Sequence, residues 1–138
     1  MISLRPIVLM IVLVCAVNYT AAQTESDYKQ YFEDIESIVR ANSSRSLSAH
    51  LFEKVEIKLD GNRKEYSKSQ AEAVLKQFFQ QNSSSEFEFV HDGKNRGGGI
   101  IYAIGDYLTS SSNYRLVMRA KKFEDTYKLY RIEFTKQR

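Results

Sequence analysis

An imidazole beside a carboxylate can act as a base near neutral pH, and His91-Asp92 supplies that pair in sequence. The segment alternates like a strand, however, so neighbouring side chains face opposite sides and Asp92 cannot orient His91. Asp106, on the next strand-like segment, is the carboxylate that could approach His91 if the pairing register brings it there. Tyr102, on the same segment, is a third polar group within reach of that arrangement. His91, Asp106 and Tyr102 therefore form the candidate acid–base set. Against it, His91 shares its alternating phase with Phe87 and Phe89, which makes it a residue of the core or of a pocket wall. His50, just before Leu51-Phe52, reads as an exposed helix-end residue.

Metal chemistry finds little support. Two His and one Cys in 138 residues, without ligand spacing, do not make a zinc site, and a single Cys permits no internal disulfide. No motif calls for a cofactor. Gly93-Lys94-Asn95-Arg96-Gly97-Gly98-Gly99 has the glycine content of a phosphate loop. It joins two strands, however, rather than a strand and a helix, and it lacks the closing Gly-Lys-Ser/Thr. It reads as a hairpin connection.

Charge gives a second candidate site. The chain has 20 Lys and Arg against 17 Asp and Glu, yet residues 115–138 alone carry eight bases and three acids. Arg115, Arg119 and Lys121 alternate with Tyr114, Leu116, Met118 and Ala120, so the three bases should share one strand face around Val117. Such a face suits a polyanion, a partner protein or the interface of a homodimer; the plain alternative is a solvated outer face. A net charge of +3 and one Arg-Gly-Gly do not make a nucleic-acid binder.

These residues need elements to hold them. Tyr28, Tyr31, Phe32, Ile35, Ile38 and Val39 recur at spacings of three and four, which predicts an amphipathic helix ended by Asn42-Ser43-Ser44. Ala71, Val74, Leu75, Phe78 and Phe79 predict a second helix, opened by the Ser67/Gln70 capping-box spacing and stopped by Asn82-Ser83-Ser84-Ser85. Between them, Val55, Ile57 and Leu59 alternate along a strand that turns at Asp60-Gly61-Asn62 into a short return strand. Four further strands follow: Phe87 to His91, Ile100 to Leu108, Tyr114 to Lys121 and Tyr127 to Phe134. Their short links favour an antiparallel meander. The whole is an α+β domain with its helices gathered on one face of an antiparallel sheet. Hydrophobic residues at 43% and aromatics at 12% suffice for one core.

The first 22 residues read differently. Arg5 precedes an apolar run from Ile7 to Val17, followed by the small residues Thr20-Ala21-Ala22. This is the three-part pattern of a cleaved secretory signal, and eleven apolar residues fall short of the ~20 that span a bilayer. Cleavage between Ala22 and Gln23 is expected, giving a periplasmic or secreted domain of residues 23–138 with no integral membrane segment. A lipoprotein anchored at Cys15 is disfavoured, because bulky Val14 stands where a small residue is required.

Ordered phrases along the mature chain carry a family resemblance. They are Val55-Glu56-Ile57-Lys58-Leu59-Asp60-Gly61, Tyr66-Ser67-Lys68-Ser69-Gln70-Ala71-Glu72, Leu75-Lys76-Gln77-Phe78-Phe79, Phe89-Val90-His91, Tyr102-Ala103-Ile104-Gly105 and Tyr114-Arg115. From Tyr28 to Phe134 the chain resembles the domain-of-unknown-function family 4783, a group of exported bacterial domains. The resemblance implies export in Gram-negative bacteria. It also implies a nuclear transport factor 2-like, cystatin-like cone, in which a curved antiparallel sheet wraps around the helices. It carries over no catalytic residues.

In such a cone, Tyr31, Phe32, Phe78, Phe87, Phe89, Tyr102 and Ile104 would line an apolar cleft, with His91 and Asp106 nearby. The leading expectation is a non-catalytic module that binds a small apolar ligand or a protein. The alternatives are a small cone-fold isomerase or dehydratase using His91 and Asp106, and a dimer whose basic face binds a polyanion.

Overall fold

The computed structural model describes residue 25 and residues 27–138. Helix α1 (residues 27–40) buries Tyr28, Tyr31, Phe32, Ile35 and Val39 along one side and leaves Glu33, Asp34 and Ser37 exposed. Asn42 ends this segment in the left-handed region, at φ +52°. A single-turn helix, α2 (Ser44–Ser48), is capped by Ser43, whose hydroxyl accepts from the Ser46 amide. The longer α3 (Lys68–Gln81) opens with the expected reciprocal cap. The Gln70 amide donates to Ser67 Oγ, and the Ser67 amide donates to Gln70 Oε1.

Among the described residues six strands form a single curved, unclosed sheet: β1 (Leu51–Leu59), β2 (Asn62–Ser67), β3 (Ser84–Lys94), β4 (Ile100–Thr109), β5 (Asn113–Phe123) and β6 (Thr126–Lys136). Their order is β2-β1-β6-β5-β4-β3. Asp60 and Gly61, both at positive φ, make the two-residue turn between β1 and β2. The chain then crosses the sheet through α3, starts again at the far edge with β3 and returns strand by strand. The meander ends when β6 reaches β1, and because both run the same way this pairing is parallel. The other pairings are antiparallel.

The inner face is packed largely by aromatic rings. Phe78 of α3 lies 4.2 Å from Phe134, 5.4 Å from Tyr114 and 5.9 Å from Tyr107, measured between ring centroids. Two asparagines tie the helix ends to this cluster. Tyr107 Oη lies 2.5 Å from the Asn82 carbonyl and 3.1 Å from Asn42 Oδ1, and Tyr114 Oη donates to Asn82 Oδ1 at 3.0 Å. Asn42 Oδ1 also accepts from the Ser84 amide at the start of β3. The Asn-Ser-Ser stretches that stop the helices thus also satisfy phenol groups that would otherwise be buried without partners.

One irregularity redirects the end of β3. Phe87 pairs with Tyr107 and Phe89 with Gly105, but the next pair is His91 with Ile104, so Val90 is an extra residue. This β-bulge shifts the alternation by one residue. Beyond it, Asp92 turns to the helix side, where Tyr28 Oη donates to its Oδ1 at 3.2 Å. His91 turns to the outer side and is exposed.

Candidate functional site

The bulge decides where the candidate acid–base residues stand. His91 does not share the face of Phe87 and Phe89, as unbroken alternation requires, but lies on the outer face beside Ile104. Tyr102 and Asp106 flank Ile104 on the same face of β4. Asp106 pairs in register with Glu88, and its Oδ1 accepts from Arg115 Nε at 3.1 Å. No hydrogen bond joins His91, Asp106 and Tyr102 to one another among the described residues. The carboxylate is engaged by a guanidinium, and all three groups stand on the side away from the helices.

The expected cleft lining divides between the two faces. Tyr31, Phe32, Phe78 and Phe87 are buried on the helix side, and Phe89 is half-buried there. Their rings meet one another: Phe32 to Phe89 at 5.5 Å, Phe87 to Phe89 at 4.9 Å and Tyr31 to Phe32 at 5.6 Å. Tyr102 and Ile104 belong to the outer face and cannot line a cavity with them. The physical reason is the period of two: β4 sends Ile101, Ala103 and Tyr107 inward, and therefore sends Tyr102, Ile104 and Asp106 outward.

The hollows at the surface lie elsewhere. One of about 260 Å³ runs along the outer edge of β3 beside Arg40, and one of about 300 Å³ lies between the ends of α1 and α3. A third, about 520 Å³, opens beside the β1–β2 hairpin.

Titration is perturbed mainly on the helix side. Burial pushes the phenols of Tyr31 and Tyr107 up, the latter to about 12, and the Tyr31 hydroxyl has no hydrogen-bond partner among the described residues. Partial burial, reinforced by the Lys128 ammonium and opposed by Asp34, lowers the pKa of His50.

The basic residues occupy the outer face together, as their alternation dictates. Arg115, Arg119 and Lys121 are all exposed, with Val117 half-buried among them. Their surroundings differ. Arg115 is paired with Asp106, and Lys121 sits 4.6 Å over the Tyr130 ring. Arg119 lies in register between Tyr102 on β4 and Arg131 on β6. Arg131 approaches Glu56 at 2.9 Å, and Glu56 also meets Arg63 at 3.0 Å. Among the described residues no carboxylate pairs with Arg119. The sequence reading missed Arg131, because a bulge in β6 between its pairings with Arg119 and Ala120 sets its register.

Tyr102 is held in an unusual way. It pairs with Gly93, and a Cβ placed on Gly93 would lie 2.6–2.7 Å from Tyr102 Oη, Cε1 and Cζ. The ring therefore lies flat over the glycine, in the space a side chain would fill, and remains 38% exposed. The absent side chain at Gly93 leaves room for this placement, and a larger residue there would displace the end of the Tyr102 ring.

The Domain of unknown function (DUF4783) family model matches residues 32–135. The chain belongs to this family. A DUF4783 family protein from Bacteroides ovatus is 27% identical; the match covers 75% of this chain and 93% of that one, with a TM-score of 0.71. The protein Rd1NTF2_05_I64F_A80G_T94P_D101K_L106W shares the fold at 11% identity and TM-score 0.61, covering 78% of this chain and 95% of its own. So does an uncharacterised protein with a cystatin-like fold from Caulobacter vibrioides, at 11% identity and TM-score 0.62, covering 84% and 91%. No curated protein matches the chain. The cone expected of this DUF4783 domain is the fold observed. The expected signal segment, residues 1–22 with Cys15, lies outside the described residues. Among the described residues no helix is long and apolar enough to cross a membrane, and no group of three or more His, Cys, Asp or Glu is placed to hold a metal ion.

Proposed function

We propose that this DUF4783 domain is an exported, non-catalytic binding module whose recognition surface is the outer face of the sheet. The observation that carries the reading is the contrast between the two faces. The inner face meets the helices ring against ring, whereas the outer face presents the Tyr102 ring beside Arg119, a cation with no acid paired to it among the described residues. Exposed aromatic and arginine side chains are the types that most often anchor an interface. A turnover role for His91 and Asp106 is disfavoured, since both stand on the solvent side and Arg115 occupies the carboxylate.

Binding to an anionic matrix tests the reading. The variant carrying Arg119→Glu and Lys121→Glu is expected to elute from a sulfated resin at clearly lower salt than the one carrying Lys64→Glu and Lys76→Glu. The two have the same net charge, so equal elution would show that only overall charge matters and would remove the outer face from the proposal. Export is tested separately by expressing the full chain in a Gram-negative host and sequencing the N-terminus of the product. A chain starting at Gln23 is expected, and an uncleaved Met1 would overturn that part.

A further inference from the structure

The row Gly93–Tyr102–Arg119–Arg131 crosses four adjacent strands on the outer face, and its chemistry defines a ligand. Tyr102, lying over Gly93, offers an exposed aromatic platform. The next residue in the row, Arg119, stands one strand away, about 4.8 Å along the sheet. Beyond it is Arg131, and like charges directly opposite in a ladder repel. Glu56 compensates Arg131 at 2.9 Å, while Arg119 has no acid of its own among the described residues. An anionic group placed on Arg119 would relieve this repulsion, and the planar guanidinium matches a carboxylate in two-point geometry.

The spacing selects a ring that bears an acid. A ring stacked on Tyr102 would carry a substituent one strand-width away, over Arg119. Glu88 and Asp106 lie on one side of the row and Glu133 close to it, so the positive charge is confined to the row itself. The platform is also open and flat, without the walls that enclose a free small molecule. A flat site of this kind suits one unit of an extended polymer with an apolar ring face and a single carboxylate. We infer that the outer face binds an acidic polysaccharide, with the C–H face of a hexuronate residue on Tyr102 and its carboxylate on Arg119. This deepens, and rests on, the proposed role of the outer face as the recognition surface.

The test is amide-shift mapping on the ¹⁵N-labelled domain at low salt, with tetragalacturonate and tetramannuronate as probes. Shifts centred on Tyr102, Arg119 and Arg131 are expected with at least one of them, and the methyl-esterified tetramer should bind more weakly by about tenfold or more. Arg119→Gln and Tyr102→Ala should each weaken binding by a similar factor, with unchanged melting temperatures excluding misfolding. Equal affinity for the esterified tetramer, or full affinity in Arg119→Gln, overturns the inference. So does silence from both hexuronates. If a poly-glutamate peptide or an oligothymidylate then shifts these same amides, the sugar is wrong and the outer-face reading stands. If those ligands shift only residues elsewhere, both fail.

Discussion

The Glu36 carboxylate of α1 accepts a hydrogen bond from the backbone N–H of Phe89 at 2.9 Å, two residues before the turn of His91 to the outer face. The same helix sends Arg40 Nε to the Phe87 carbonyl at 2.7 Å, and Arg40 pairs with Glu36 at 2.7 Å. β3 is an edge strand, with backbone groups that no neighbouring strand can satisfy. Two charged side chains of α1 take the place of a seventh strand next to the bulge. The latch fixes the helix to the edge and holds the local backbone that determines which way His91 points.

Glu36→Ala is therefore expected to destabilise the domain by about 1–3 kcal/mol, because it removes a charge-assisted bond and leaves the Phe89 N–H unpartnered. Glu36→Gln, which can still accept the bond, should cost less. Urea unfolding of the three proteins measures both. Equal stability of wild type and Glu36→Ala would show that the latch contributes nothing.

Gly105 faces Phe89 across the β3–β4 ladder, where there is no room for a side chain. A Cβ there would lie 2.5 Å from the Glu88 carbonyl oxygen and 2.8 Å from Phe87 Cε2. The backbone oxygen cannot swing aside as a side-chain end could. Gly105→Ala should destabilise by about 1–3 kcal/mol or more through overpacking. Gly97→Ala, in open space within the Gly-rich loop, should be nearly silent. Thermal melting separates the two.

Much of this architecture was legible because it follows from local periodicity. Both helices, the Ser67 cap, the Asp60-Gly61 turn and the four-strand meander follow from spacing that no distant contact overrides. The face on which His91 lies was not legible. The inserted Val90 lies inside an ordinary run of strand-forming residues, and the Glu36 bond beside it comes from a helix 53 positions away in sequence. The expected cleft is divided for a simpler reason: it joined Tyr102 and Ile104, which β4 sends outward, to inward-facing residues of the helices and β3. The parallel β1–β6 pair was likewise hidden, because it depends on where the meander ends and not on any short link.

Tyr107 is one of the buried phenols, with Tyr31, on which alkaline stability should depend. Burial raises its pKa to about 12, while in the unfolded chain it ionises near ~10. Between these values the unfolded state gives up the proton first, so stability is complete below about pH 10 and falls as pH rises toward 12. Tyr107→Phe removes the bond to the Asn82 carbonyl and should lower stability at neutral pH by about 1–3 kcal/mol. The variant should also lose stability less steeply above pH 10 than wild type. Urea midpoints measured from pH 8 to 11.5 test both points, and parallel curves would refute the assignment.

His50 should govern the acid side in the opposite sense. Its imidazole is half-buried, edge to face with Tyr31 at 5.6 Å, while Lys128 Nζ is fixed nearby by its bond to the Ala49 carbonyl at 2.8 Å. Burial and that ammonium lower the folded-state pKa below the ~6.5 of the unfolded chain, against a smaller opposing effect of Asp34. The unfolded state therefore binds the proton more readily. The stabilisation from neutral His50 is present above about pH 6.5 and is lost as pH falls toward the lowered folded value. Because the ring is only half-buried, solvent should keep the effect modest. His50→Gln loses the aromatic contact and should start from a lower plateau at pH 8, yet its unfolding midpoint should decline less than that of wild type between pH 7 and 5. An identical decline in both proteins would mean that another group, such as a paired carboxylate, sets the acid limb.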